Sequence, residues 1–347
     1  MILRPMQRPM SPIRALVLIL AISSLAFAAG GEWKRIDTGT MAWLRAISFA
    51  NERVGWIGGS AGTLLKTEDG GKTWARQKSP TADNIRDIVF KGDVGWLLCE
   101  RDVFGQGGES PTYILKTDDG GETWGRAEVA AGRERMLRFV TGPDGTPRFA
   151  VGEMGTMLYA APGPETAFAR VRLASRAMLT AGQMLDERRG LLVGGAGTIM
   201  ATEDGAETWD AVPGTGPANM QNISSGYRGQ NGQGTPTRLN ALFFLDQERG
   251  WAAGNNGTLL QTRNGGKSWS RQESGVEVML LDILFLDEKT GFAAGDDGTM
   301  ISTEDGGQTW KKDATGTRHR LERLAVSADA GLVIGFGGTV LHRPLPR

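Results

Sequence analysis

The chain has 347 residues, with 39 basic and 39 acidic side chains and 51 glycines. That length holds one large all-β domain or two smaller ones. The balanced charge gives no global nucleic-acid signature, and a single cysteine excludes an intramolecular disulfide.

The chain opens on an export address. Arg4, Arg8 and Arg14 give a positive start, residues 15–22 a short apolar core, and Ala26-Phe27-Ala28 a small-x-small cleavage pattern. The apolar run is short for a membrane span, which takes about 20 residues, and no cysteine follows to carry a bacterial lipid anchor. Residues 1–28 are therefore expected to be a cleaved signal peptide. Residues 29–347 are expected to be the exported domain, in the periplasm, a thylakoid lumen or outside the cell. Losing the three arginines leaves the mature chain with 36 basic against 39 acidic groups.

A repeat then begins. An apolar strand at residues 44–49 leads to Gly55-Trp56-Ile57-Gly58-Gly59 and to Gly62-Thr63-Leu64-Leu65, and then to the box Thr67-Glu68-Asp69-Gly70-Gly71-Lys72-Thr73-Trp74. The box returns around Asp119 and Trp124, Asp204 and Trp209, Asn264 and Trp269, and Asp305 and Trp310. Each copy reads as strand, tight turn, strand. The Asp or Asn accepts bonds from its own turn, Gly supplies positive φ, and Trp buries a large ring against the next unit. These ten residues are expected to be structural. Catalytic or metal-binding use of the carboxylates is disfavoured, because successive units place them far apart.

The shortest period is the 41 residues from Trp269 to Trp310. The longer gap from Trp124 to Trp209 has room for two units, and residues 137–173 supply one that lacks the box. A last unit at 321–344 ends without a fourth strand. Glu32-Trp33-Lys34-Arg35-Ile36-Asp37 resembles the fourth strand at Thr73–Arg76 and stands one period before Trp74. The expected fold is all-β: a seven-bladed β-propeller of four-stranded antiparallel blades, closed by the mature N-terminal strand, which hides sheet edges.

In such blades the box turns share one face with the turns between first and second strands. Insertions at 104–111 and 213–236 fall on the other face, which marks it as a working face. Arg45, Arg86 and Arg138 each follow an apolar residue at the start of a first strand. Aligned as one structural position, they are expected to ring the channel mouth there, with Arg133, Arg135, Arg318, Arg320 and Arg323 nearby. Guanidinium groups suit carboxylates, so an acidic peptide or chain terminus is the expected ligand. The competing reading is separate ion pairs with acids such as Asp87 or Glu322.

Catalytic signatures are sparse. His319 and His342 are the only histidines, which nearly excludes Ser-His-Asp or Cys-His chemistry and His/Cys metal clusters. Cys99 lies in an apolar run and reads as a buried thiol. No catalytic residue, metal or cofactor is expected.

The boxes match the Asp-box pattern. The wider unit from Gly55 to Trp74 resembles the photosystem II stability/assembly factor family, over nearly the whole mature chain from Trp33 to Leu341. That resemblance implies an exported seven-bladed propeller that aids assembly of a membrane complex. It also implies an arginine patch for a subunit's C-terminal region, carried here by Arg45, Arg86 and Arg138. The expected partner is thus a membrane-complex subunit or acidic peptide segment, with no nucleic acid and a monomeric state. The alternative class is an Asp-box carbohydrate-active protein, either a sialidase-like glycosidase or a lectin.

Overall fold

A computed structural model describes residues 31–101, 110–160, 167–215 and 237–345. The export address, most of the 104–111 and 213–236 insertions and the Pro162-Gly163-Pro164 stretch lie outside these residues. The chain forms seven sheets arranged as the blades of a β-propeller. The first blade comprises Leu44–Phe49, Gly55–Gly59, Leu64–Thr67 and Ala75–Arg76, antiparallel throughout. The innermost strands of successive blades touch, and Leu321–Val326 of the seventh blade returns to touch Leu44–Phe49 of the first.

The seventh sheet joins the two ends of the domain. Its first three strands are Leu321–Val326, Ala330–Gly335 and Val340–Pro344, and its outermost is Lys34–Ile36. Arg35 pairs with Leu341 and Ile36 with Val340. Trp33 enters a core with Phe292, Leu324 and Val333, and its indole N–H donates to Asp313 at 3.1 Å.

One expectation needs correction. The outermost strands begin just after the box Trp, not at the box Thr, because the Thr side chain and backbone are tied into the turn. The third blade has its four antiparallel strands and one more. Glu128–Val129 adds a fifth strand, parallel to Ala167–Arg172.

Seven apolar clusters lie between adjacent blades. Trp74 packs with Leu332 and Ile334 of the seventh blade, Trp209 with Phe149 and Val151 of the third, and Trp310 with Trp251 and Ala253 of the fifth. In the third blade, which has no box, Phe168 takes the tryptophan's place against Trp96 and Leu98. Every outermost segment thus wedges one aromatic ring into the preceding blade. Aromatic side chains suit this role because each removes a large apolar area from water.

The turns sort to two faces. The first glycine N–H of the box turns donates to the turn between first and second strands, as from Gly70 to Arg53 and from Gly306 to Lys289, each at 2.8 Å. At the other face, Gly62 donates to Asp83 at 2.8 Å and Gly338 to Ala42 at 2.7 Å. Gly62 has φ of 63°, and a Cβ there would collide with the Thr81 carbonyl. These turns therefore pack against the crossovers between blades.

The shared seventh sheet generates a prediction. Deleting residues 32–37 removes Trp33 and a whole strand, and is expected to cost at least about 3–5 kcal/mol, the usual loss for a buried large aromatic. Removing residues 346–347 is expected to leave the urea midpoint unchanged. Near-identical midpoints for both truncations would contradict the role given to the N-terminal strand.

Candidate functional site

The box carboxylates are consumed by their own turns. Asp69 Oδ1 accepts from Lys72 N and Thr73 N, both at 2.9 Å, and from Thr67 Oγ1 at 2.8 Å, while Oδ2 accepts from Thr73 Oγ1 at 2.6 Å. Burial pushes the Asp69 pKa up, but the hydrogen bonds led by those from Thr73 outweigh it and hold the group at about 2. Bonds from Thr117 and Thr123 hold Asp119 at about 2, and those from Thr208 and Thr202 do the same for Asp204. Asn264 shows that an amide can serve: Oδ1 accepts from Ser268 N at 3.0 Å and Nδ2 donates to Ser268 Oγ at 2.8 Å. Trp74, Trp124 and Trp269 return their indole N–H to the second residue of the box glycine pair, at 3.0–3.2 Å.

The other face carries the arginines that the sequence marks. Each innermost strand begins with a bulge. Leu44 pairs with Gly59 and Ala46 with Gly58, which leaves Arg45 as the extra residue. In the second blade the extra residue is Arg86 and in the seventh it is Glu322. In the third it is Leu137, because Met136 pairs with Gly152 and Arg138 with Val151. Bulges re-aim side chains, so this one-residue offset matters. Arg138 does not share the position of Arg45 and Arg86, as the sequence alignment expects. It stands one step deeper, where it meets Asp282 of the sixth blade at 3.4 Å across the channel.

Arg323 occupies the same deeper position in the seventh blade and is half-buried, with its pKa lowered to about 10 by desolvation and by Arg138. Asp87 and Asp282 are buried there. Asp87 accepts from Phe139 N at 2.7 Å and Asp282 from Leu324 N at 2.9 Å, so each also ties its blade to the next. Burial raises the Asp87 pKa against the pull of Arg138 and Arg323. The channel interior thus holds its own counter-charges.

The mouth does not. Arg86 Nε lies 3.1 Å from Glu100, which also meets Arg135 at 3.6 Å. Arg320 Nε lies 3.3 Å from Asp296 and 3.1 Å from Glu322. Glu322 also accepts the Trp43 indole N–H at 2.7 Å. Arg238 bonds the Asn240 amide rather than an acid. Arg45 has no acid in contact among the described residues: its guanidinium sits 3.7 Å over the Trp43 ring, and its buried Nε has no hydrogen-bond partner. Burial, then Arg86, lower the Arg45 pKa to about 10. Arg45 therefore remains a cation at neutral pH, desolvated and beside a like charge, and an arriving carboxylate would relieve both penalties.

The partners in this arrangement come from different blades. Trp43, Glu100, Glu322 and Arg320 converge only through the ring; the sequence marks Arg320 and Glu322 but neither Trp43 nor Glu100. Cys99 is buried, and burial pushes its thiol up to about 12, so it offers no nucleophile. Among the described residues no group of three or more His, Cys, Asp or Glu could hold a metal ion.

A family model described as photosynthesis system II assembly factor YCF48 matches residues 25–131, 164–273 and 267–344. The chloroplastic photosystem II stability/assembly factor HCF136 of Arabidopsis thaliana is 27% identical over 295 residues, covering 70% of this chain and 71% of that one. The photosystem II assembly lipoprotein Ycf48 of Picosynechococcus sp. is 30% identical over 95 residues, 26% of this chain and 28% of that one. A solved structure of YCF48 bound to D1 peptide superposes with a TM-score of 0.69 at 20% identity, covering 92% of this chain and 99% of that one. At that identity the likeness speaks to the fold.

The box geometry predicts how its residues respond to change. Asp69→Ala is expected to destabilise by about 1–3 kcal/mol, the penalty for leaving turn donors unpaired. Asp69→Asn should lose less, since Asn264 already serves in another box. The Asp69 pKa is lower folded than unfolded. Its contribution is therefore full above about pH 4 and disappears as pH falls through about 2. Urea midpoints measured from pH 5 to pH 2 should fall for the parent protein, and less steeply for Asp69→Asn. Equal slopes would show that the carboxylate is not tied into the turn.

Proposed function

The chain belongs to the photosystem II assembly factor YCF48 family, and from that premise we propose that it is an exported, non-enzymatic scaffold. In this reading it holds an acidic segment of a membrane-complex subunit while the complex is assembled. One observation carries the reading: Arg45, a desolvated cation without an acid in contact among the described residues, beside Arg86 at the channel mouth. Arg45, Arg86, Arg135, Arg238 and Arg320 gather there with the acids Glu100, Glu153, Asp296 and Glu322, and Arg45 is the one whose guanidinium rests on a ring instead. The relatives' names point the same way, since they are photosystem II assembly factors and one solved neighbour is bound to D1 peptide.

Of the three arginines marked by the sequence, Arg45 and Arg86 make the proposed contact with the partner. Arg138 supports them from below, with its charge engaged by Asp282. The box acids favour a scaffold over a glycosidase. A glycosidase needs two carboxylates free to flank one bond, whereas Asp69, Asp119, Asp204 and Asp305 are bound within separate turns. Export rests on the N-terminal address and on relatives named as chloroplastic or as lipoproteins.

The scaffold reading predicts a charge-dependent capture. Arg45→Glu with Arg86→Glu should abolish binding of a labelled acidic peptide, measured by fluorescence anisotropy, with the fold retained by circular dichroism. Arg45→Lys should weaken binding only in part, because charge remains while the planar fork is lost. Affinity should also fall as salt rises, since exposed charge attraction is screened beyond about 8–10 Å at physiological ionic strength. Undiminished binding by the double Glu variant would contradict the proposal.

A further inference from the structure

The mouth has an apolar corner beside Arg45. Phe336 is 48% exposed and Met41 77% exposed, unusual values for large apolar side chains in so closely packed a fold. Both lie where the seventh blade meets the first. The Phe336 ring stands 5.7 Å from the Trp43 ring, edge to face. Met41 is two residues from Trp43, and the Ala42 carbonyl between them accepts from Gly338 in the Phe336 turn.

Folding does not require an aromatic at Phe336. Its backbone N–H donates to Arg320 O at 2.9 Å, and the same bond recurs at the matching position of other blades. There the residues are Ser60, Glu153, Gly195, Asn255 and Asp296, all small or polar, donating to Trp43, Arg135, Met178, Arg238 and Met279. The turn therefore forms without a large side chain, and Phe336 adds a half-exposed ring set edge-on to Trp43 and His319. Trp43 is held in place from several sides. Its backbone N–H donates to Ser60 Oγ at 2.9 Å, its indole to Glu322 at 2.7 Å, and Arg45 covers its face.

We propose that this mouth reads two features of its partner at once: a carboxylate on Arg45, and a bulky apolar side chain against Phe336, Met41 and the edge of Trp43. The proposal rests on the scaffold reading and deepens it. The occupant is an extended peptide in which an acid and an apolar residue lie on the same side. Arg45 and Phe336 are bridged by one ring, Trp43, so their centres are no more than about 9 Å apart. In an extended chain, side chains two positions apart share a side and are separated by roughly 6.6 Å. The spacing therefore fits an acid and an apolar residue with one residue between them. It also fits a chain-terminal carboxylate with an apolar residue just upstream. Charge supplies the attraction, and the apolar corner excludes acidic segments that lack the second feature.

The test is a double-mutant cycle on the full mature chain. Labelled octapeptides carry Glu and, two positions on, either Leu or Ser, each with a free or an amidated C-terminus. The expected result is about tenfold tighter binding of the Leu peptide by the parent protein. Phe336→Ser should remove that preference while leaving the Ser peptide's affinity unchanged. Because Phe336 is half exposed, the variant should stay folded and melt only slightly below the parent. Met41→Ser should reduce the preference in part. A loss on amidation assigns the Arg45 contact to the chain terminus, and no loss assigns it to the acidic side chain; either accompanies a positive result. Equal affinities for the Leu and Ser peptides, or an equal effect of Phe336→Ser on both, would overturn this inference. If Arg45→Gln still weakened both peptides, the scaffold reading would stand alone. Binding indifferent to Arg45→Gln and to peptide charge would overturn both. Sedimentation with anionic-lipid vesicles that depends on Phe336, without any peptide preference, would also overturn it, in favour of a membrane contact.

Discussion

The architecture depends on one repeated contact, the wedging of an aromatic ring from each outermost segment into the blade before it. Trp74, Trp124, Trp209, Trp269 and Trp310 do this, with Phe168 and Trp33 in the remaining two places. A single four-stranded sheet cannot cover both of its faces, so each blade is stable only against its neighbours. The Asp-box turn serves this contact. It fixes the few residues before each Trp through side-chain bonds to the turn, and so aims the ring. The acidic residues that look most like chemistry are therefore part of the scaffold's joints.

The mouth is a consequence of the same arrangement. The ring brings seven strand starts to one opening, and the bulge at each start leaves one extra residue there. Where those side chains are Arg45 and Arg86 beside Glu322, charge accumulates. Acids on a neighbouring strand or in the preceding blade's turn neutralise part of it, as Glu100 does for Arg86 and Asp296 for Arg320. Arg45 is left on an aromatic face rather than a carboxylate. Trp43, which supports it, lies on the stretch that follows the N-terminal strand and is bonded to Glu322 of the seventh blade. The candidate site and the junction of the chain's two ends are thus one place, so occupancy of the site would also hold that junction together.

Much of this was legible in the sequence, because its causes are local or periodic. A turn built by Asp69, Gly70 and Thr73 is written in consecutive residues, and Trp33 declares itself by standing one period before Trp74. Arg138 was misread for a physical reason. Met136 and Leu137 are both apolar, so the dipeptide Leu137-Arg138 looks like Leu44-Arg45, while the actual bulge falls on Leu137. The pairing of Met136 with Gly152 is set by long-range register, which a single sequence does not display. Phe168 and the parallel strand Glu128–Val129 were missed because the third blade lacks the box that marks its neighbours. Trp43 and Phe336 were missed because each takes its meaning from residues on other blades, and Glu100 because it meets Arg86 only through the pairing of two strands.

The central claim is that an acidic segment is held at the mouth, on Arg45, and not at the box face. Photo-crosslinking tests it most directly. An acidic peptide carrying a benzophenone two positions from its acid would be irradiated on the mature protein, and the adducts mapped by mass spectrometry. The account predicts adducts concentrated on the segments containing Met41, Trp43 and Phe336, and their loss in Arg45→Glu. Adducts centred on the box turns around Asp69, Asp119 or Asp204, unaffected by Arg45→Glu, would contradict it.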